Sequence, residues 1–399
     1  MVGEKKRILQ ITAGGTEFTG VCGYILQYYE NIDRSRFCFD LLFCLENSMG
    51  EQSNNPIFSD SCFFVLNAYK KRSKSFDYYS ILKKVRHIID ENDYDIVEIN
   101  TSRVELLFVC VLAVRLSKKK PLIISHSHNS QMGNQSGTRI RLPIRSIIDR
   151  VENDLRKYIV KKSDYLLACS INAGQYAFGE GCIDSPKFAV VKNAIKVAKY
   201  IYNPQIRQTV RSSFGIDDEK LVVGHVGRLS KLKNHDMLLR VFSIIHKEMP
   251  DSVLLLVGDG PEKSSILSSV KKMDLEGCVI LAGERRDVAD CLQAMDVFVF
   301  PSLAEGLGIA AIEAQASGLP TIISDAVPQD AVITPKTQRL SLTDGLNVWA
   351  NHVMNALQEK RVDTSPDIRN AGYDIDDNVN KLENFYNTLV SRRNHYEQH

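Results

Sequence analysis

Short apolar runs rich in Val, Ile and Leu alternate with amphipathic stretches from one end of the chain to the other. A run that is apolar at successive positions buries both faces of a strand. Strands of that kind separated by helices build a parallel sheet covered on both sides. The strand candidates are 7–13, 37–45, 62–67, 95–100, 121–128, 165–170 and 188–193, with helical stretches such as 76–91 and 104–116 between them. A second series follows at 221–227, 253–258, 278–283, 296–301 and 321–324, interleaved with helical patterns at 236–248, 262–273, 286–294 and 308–316. Pro204 and the polar stretch 193–208 separate the two series. The expectation is an α/β protein of two facing, doubly wound Rossmann-like domains, residues 1–195 and 196–375, with a C-terminal helix at 376–399 that packs back on the first. Such sheets bind ligands beyond the carboxyl ends of their strands, so the cleft between the domains is the expected site.

Composition removes several alternatives. Lys and Arg number 50 against 48 Asp and Glu in 399 residues, and a net charge of +2 offers no footprint for nucleic acid. The nine cysteines form no CxxC pair and several lie inside apolar runs. That is the pattern of small buried hydrophobes in a reducing compartment, not of a disulfide frame or zinc site. Residues 1–9 are charged and lead straight into a strand, so no signal peptide is expected. No apolar run approaches the ~18 residues needed to span a bilayer. A cytoplasmic protein is expected, with peripheral contact to the inner face of the cell membrane left open.

The chemistry concentrates at 296–324, DVFVFPSLAEGLGIAAIEAQASGLPTIIS. A buried strand ends at Pro301, a loop carries Glu305, Gly306, Leu307 and Gly308, and a helix from Ile309 stops at Gly318 with Pro320 behind it. Gly306 and Gly308 lack Cβ atoms, so backbone N–H groups can close on an anion. They lie at the positive end of the helix, where a negative charge gains about 0.3–1 kcal/mol. Glu305 and Glu313 are a little over two helical turns apart, so both can face one cleft and accept hydrogen bonds from vicinal hydroxyls. Taken singly, Glu305 also reads as a surface loop residue and Glu313 as a solvated helix residue. Yet Glu313 interrupts Ile309, Ala310, Ala311, Ile312 and Ala314, where a charge is costly unless paired.

With these residues in view, the stretch resembles the E-x7-E signature of glycosyltransferase family 4, and the resemblance covers nearly the whole chain. Val226-Gly227-Arg228 with Lys233-Asn234 is similar to that family's GR…K element. Leu256-Val257-Gly258-Asp259-Gly260-Pro261 is similar to its second donor-domain strand and turn. Tyr28-Tyr29-Glu30-Asn31-Ile32-Asp33-Arg34 and Ser125-His126-Ser127-His128-Asn129 resemble the subset that builds bacterial exopolysaccharide or capsule chains.

The resemblance implies the GT-B fold and retaining transfer of a hexosyl unit from a nucleoside diphosphate sugar to a hydroxyl of a glycan or polyprenyl-linked acceptor. It implies that Arg228 and Lys233 hold the diphosphate and its leaving charge, with Lys231 the competing lysine. Glu313 would take the ribose and Glu305 the hexose, while the loop Gly306–Ile309 cradles the phosphates. Backbone beside Arg285 and Arg286 would pair with the base. With cations supplied by the protein and no DxD-type pair in place, neither metal nor other cofactor is expected.

In the first domain the family's glycine pair matches Gly15 and Gly20, and a single family histidine matches His126 or His128. His128 is preferred as closer to the strand's carboxyl end. The glycine loop departs from the pattern: Thr16–Thr19 are extra, which favours Gly20 over Gly15, and Cys22 stands where an acidic residue is common. The stretch 138–162 carries Arg139, Arg141, Arg145, Arg150, Arg156, Lys157, Lys161 and Lys162 with apolar residues at helical spacing. It reads as an interfacial helix on an anionic membrane surface, or as a core-packing helix with a solvated basic face. Two rival functions remain, a nucleotide-sugar 2-epimerase and a catalytically silent nucleotide-sugar-binding subunit. A dehydrogenase is disfavoured because no GxGxxG follows the first strand.

Overall fold

The computed structural model describes residues 5–13, 20–44, 59–70, 75–128 and 142–397. The chain forms two compact units, Met1–Ala194 together with Ile375–His399, and Ile195–Asp374.

The first unit holds β1 (Lys6–Thr12), β2 (Phe37–Phe43), β3 (Phe63–Val65) and a small hairpin of β4 (Tyr69–Lys70) and β5 (Ser75–Phe76). It continues with β6 (Ile96–Asn100), β7 (Leu122–Ser127), β8 (Tyr165–Ala168) and β9 (Phe188–Val190). Apart from the hairpin these make one seven-stranded sheet in the order β3-β2-β1-β6-β7-β8-β9, parallel at every pairing. One face packs against helices Tyr78–Glu91 and Val104–Leu116. The other is covered by Gly20–Asn31 and by the last helix, Ile375–Glu397. Its Leu382, Tyr386 and Leu389 share a core with Tyr28, Phe37 and Phe39.

The second unit holds β10 (Leu221–Val226), β11 (Ser252–Val257), β12 (Val279–Gly283), β13 (Val297–Phe300), β14 (Thr321–Ser324) and β15 (Thr337–Leu340). Their order, β12-β11-β10-β13-β14-β15, is the doubly wound one, again all parallel. Strand alternation splits the side chains between two cores. Val223, Leu254, Leu256, Val297 and Val299 face helices His235–Glu248 and Leu346–Ala356. Val222, Leu255, Val257, Phe298 and Phe300 face the side of helix Ile309–Ala316. Each such side chain, fully buried, contributes about 1.5–3 kcal/mol.

Several elements were absent from the sequence expectation, among them the β4–β5 hairpin, helix Leu346–Ala356, β15 and helix Pro204–Ser213. β15 is an edge strand, TQRL, whose polar composition hides it. The stretch expected as a polar linker contains helix Pro204–Ser213, which starts at the Asn203 cap and is anchored by fully buried Arg211. That guanidinium donates to Ala294 O, Asp217 O, Asp218 O, Lys220 O and Asp296 Oδ2, which offsets the cost of burying its charge. All nine cysteines carry free thiols. No helix among the described residues is long and apolar enough to cross a membrane.

Candidate active site

In the second unit the strand order reverses between β10 and β13, and the crevice beyond their carboxyl ends is where such sheets take ligands. After β10 the chain passes exposed Arg228 into a short 3₁₀ turn, Lys231–Lys233, and Asn234 in the left-handed region (φ 55°) redirects it into helix His235–Glu248. After β13 it runs through Glu305 to Gly308, whose φ of +85° suits a residue without Cβ, and enters helix Ile309–Ala316. Leu303 N donates to Leu232 O at 2.7 Å and ties the two loops together.

Lys233 Nζ then lies 2.5 Å from Glu305 Oε1 and 4.5 Å above the Phe300 ring. Their side chains are 19% and 11% exposed, so the pair is largely withdrawn from water and its attraction is poorly screened. Lys231 is exposed, so the structure brings Lys233, not Lys231, to the Glu305 loop. At the start of the helix Ala311 N and Ile312 N donate back to Gly308 O, and the N–H groups of Ile309 and Ala310 precede the first intrahelical acceptor. Leu307 is buried as the loop's hydrophobic anchor, and Gly306 is half-buried.

Glu313 sits farther along that helix, half-buried among Ala310, Ala311, Ile312 and Ala314. Burial pushes its carboxyl up to about 7, although the Tyr200 hydroxyl donates to Oε1 at 2.6 Å and opposes the rise. The two glutamates thus have different partners, Lys233 and Tyr200. Tyr200 was missed by the sequence reading because it lay in the supposed linker.

Arg285 pairs with Asp287, 2.5 Å away, and its guanidinium lies 5.5 Å from the Phe214 ring. The helix that follows begins at Val288, not at Arg286. The loop Gly258-Asp259-Gly260 packs back to back on the loop after β10. A Cβ on Gly258 would stand 2.1 Å from Gly227 O, and one on Gly260 2.4 Å from Leu229 O.

In the first unit, Gly20 opens helix Gly20–Asn31, while Gly15, Thr16–Thr19, Asn129, Arg139 and Arg141 lie outside the described residues. Cys22 is buried, and burial pushes its thiol up to about 11 although the Thr12 side chain bonds to it. His126 ends up fully buried on β7 and His128 just beyond it, with ring centroids 4.0 Å apart and the Tyr24 ring against both. Burial, then the neighbouring His126, hold His128 well below the usual histidine range, so it is neutral. Its Nε2 meets Asn100 Oδ1 at 2.9 Å, and His126 Nδ1 meets Glu98 Oε1 at 2.7 Å. Glu98 and Asn100 were also missed. Their signal was the one applied to Glu313, a charged and a polar residue inside an apolar run, Ile96-Val97-Glu98-Ile99-Asn100.

Two Rossmann-like units, each an all-parallel sheet with helices on both faces, are the architecture of the GT-B fold. The chain is a glycosyltransferase similar to family 4, of the kind that serves glycan biosynthesis, and residues 206–374 match the family model of the glycosyl transferases group 1. It is 29% identical to the putative glycosyltransferase EpsF of Bacillus subtilis over 98% of this chain and 99% of that one. It is 25% identical to the UDP-Gal:alpha-D-GlcNAc-diphosphoundecaprenol alpha-1,3-galactosyltransferase of Escherichia coli, over 93% and 94%. Among solved structures, HepE of Anabaena in complex with UDP superposes with a TM-score of 0.73 at 18% identity, covering 96% of this chain and 100% of that one.

Proposed function

We propose that the chain moves a hexosyl unit from a nucleoside diphosphate sugar to a hydroxyl of a glycan or lipid-linked acceptor, with retention at the anomeric carbon. The observation that carries this reading is the Lys233–Glu305 pair at the amino-terminal end of helix Ile309–Ala316. An incoming diphosphate competes with Glu305 for the ammonium. Lys233 then turns to a phosphate oxygen, and Glu305 becomes free to accept from sugar hydroxyls. Arg228 and the amides of Gly306, Leu307, Gly308 and Ile309 add positive potential where charge builds as the bond from anomeric carbon to phosphate oxygen breaks. Glu313 accepts from the ribose hydroxyls, and backbone near Arg285 takes the base. His128 meets the transferred sugar. The acceptor oxygen forms its new bond on the face the phosphate leaves, and its proton passes to the departing phosphate.

The Escherichia coli relative is named for transfer from UDP-Gal to a diphosphoundecaprenol-linked sugar, and HepE was solved with UDP-glucose. Both favour a UDP-hexose as the first donor to test, and the Escherichia coli relative's name favours a polyprenyl-linked acceptor, which would lie at a membrane surface. Basic residues of helix Leu142–Lys162, such as Arg150 and Lys161, supply attraction to anionic lipid there.

The test is a thermal-shift panel of UDP-, GDP-, ADP- and dTDP-sugars, followed by incubation with a lipid-linked acceptor and NMR of the product's anomeric proton. Stabilisation by at least one donor and an unchanged anomeric configuration are expected. No stabilisation by any donor together with no transfer overturns the proposal.

A further inference from the structure

Glu98 lies wholly buried in the middle of the first unit's sheet, and three side chains from three elements converge on its carboxylate. Gln10 Nε2 of β1 lies 3.2 Å from Oε2, the Tyr386 hydroxyl of the last helix 2.5 Å from Oε2, and His126 Nδ1 of β7 2.7 Å from Oε1. Gln10 Nε2 and the Tyr386 hydroxyl both donate to Oε2, so the carboxyl serves as an acceptor, and His126 Nδ1 is placed to donate to Oε1. For His126 this places the ring proton on Nδ1 and leaves Nε2 as a lone pair. That Nε2 is buried and has no hydrogen-bond partner among the described residues.

The same constraint runs further. Gln10 points its NH2 at Glu98, so its oxygen faces Asn100, whose Nδ2 donates to it at 2.6 Å. Asn100 Nδ2 also lies 3.3 Å from Glu98 O, which fixes the same amide orientation. Asn100 Oδ1 is therefore turned to His128 Nε2, 2.9 Å away, and Nε2 must carry a proton. His128 Nδ1 is left as a lone pair 3.3 Å from the Asn193 side-chain amide, which meets it with a donor after a half-turn rotation. Glu98 thus orders the protons of the side chains from β1 to the carboxyl edge of β7, through its carboxylate at Gln10 and His126 and through both Gln10 and its own main-chain oxygen at Asn100.

We infer that Glu98 is a positioning residue for sugar transfer: it sets the tautomers of His126 and His128, and so decides which nitrogen of His128 can accept a hydrogen bond. The inference rests on the proposal that His128 meets the transferred sugar. Its Nδ1 is then the one ring atom with a lone pair, and a sugar hydroxyl reaches it by taking the place of the Asn193 donor. An amide at position 98 removes the root of the ordering, because an amide both donates and accepts and can turn its NH2 toward His126 Nδ1.

The test begins with the unmodified full-length protein, labelled with ¹⁵N-histidine, by long-range ¹H–¹⁵N correlation at pH 7.5. His126 is expected with its proton on Nδ1 and His128 with its proton on Nε2. The opposite tautomer at either ring overturns the inference, whatever becomes of the proposed reaction. Glu98→Gln is then expected to convert His126 to the Nε2–H form and to lower kcat at least tenfold, with the UDP Kd and the UDP-hexose KM within threefold of the unmodified enzyme. A variant with altered tautomers and unchanged kcat overturns the positioning role. If Glu98→Gln does not fold, the spectrum of the unmodified protein still decides the proton order, and Tyr386→Phe serves as the kinetic variant. Removing one donor from Glu98 is expected to leave both tautomers in place and kcat within threefold, and a changed tautomer there overturns the ordering. Absence of transfer by the unmodified enzyme would instead count against the proposed function alone.

Discussion

The Tyr200 hydroxyl donates to Glu313 Oε1 at 2.6 Å, joining two residues 113 positions apart. A single hydrogen bond does not offset the burial of that carboxyl, whose pKa rises from 4.5 to about 7. Because the folded value is the higher one, the folded state favours the protonated acid. Ionising Glu313 therefore costs stability progressively as pH rises from 4.5 to about 7, and the penalty is constant above that. At about 1.4 kcal/mol per pKa unit the full penalty is on the order of 3 kcal/mol. Glu313→Gln is expected to stabilise the nucleotide-free protein at pH 8, to change it little at pH 5, and to weaken nucleotide binding about tenfold or more. Urea unfolding at both pH values and titration calorimetry with UDP check this.

Lys233 and Glu305 should separate stability from turnover. Lys233→Ala leaves a half-buried carboxylate without its cation and is expected to cost about 1–3 kcal/mol of stability. On the proposed function the same change also removes the charge meant for the departing phosphate, and it is expected to lower kcat by about a hundredfold or more. Adding Glu305→Gln should recover most of the stability and none of the rate, a coupling that a double-mutant cycle measures directly.

Gly308 is required by its backbone. A Cβ there would stand 3.1 Å from Val327 Cγ1 at a φ of +85°. Gly308→Ala is expected to cost about 1–2 kcal/mol and to weaken UDP binding, since strain at this residue tilts the helix amides. Gly277→Ala, where nothing lies within 4 Å of the new Cβ, is the control and should stay within about 0.5 kcal/mol in thermal denaturation.

The proposed roles of Arg228 and Lys233 at the diphosphate predict that transfer proceeds at an undiminished initial rate after dialysis against EDTA. Radiolabel incorporation with and without added Mg²⁺ is the measurement.

Much of this was legible because both sheets are parallel and buried on two faces. Runs such as Val253-Leu254-Leu255-Leu256-Val257 carry no polar position, and only a central strand tolerates that. β15 escaped because an edge strand can be polar. Helix Pro204–Ser213 escaped because its fixed point is a buried arginine, and an arginine in a sequence looks like surface. The loop from Glu305 to Gly308 was readable, since glycines before a helix and a charge inside an apolar run each carry a physical cost. Tyr200, Gln10 and Tyr386 were not readable. Each finds its acidic partner across the fold, and nothing local to a tyrosine or glutamine announces which carboxylate it will reach.

The last helix has a consequence for how the polypeptide is made. Tyr386, Leu382 and Leu389 complete a core that also takes Tyr28, Phe37 and Phe39 from early in the chain and Ile96, Ile124 and Leu167 from later strands, while Ile195–Asp374 is one uninterrupted segment. On the ribosome the later-encoded unit can therefore finish folding first. The earlier one must wait, with Phe37 and Phe39 uncovered, until helix Ile375–Glu397 leaves the exit tunnel. A stop codon between positions 375 and 386 would strand a folded unit beside one that lacks core residues, and such truncations should accumulate on chaperones or in inclusion bodies.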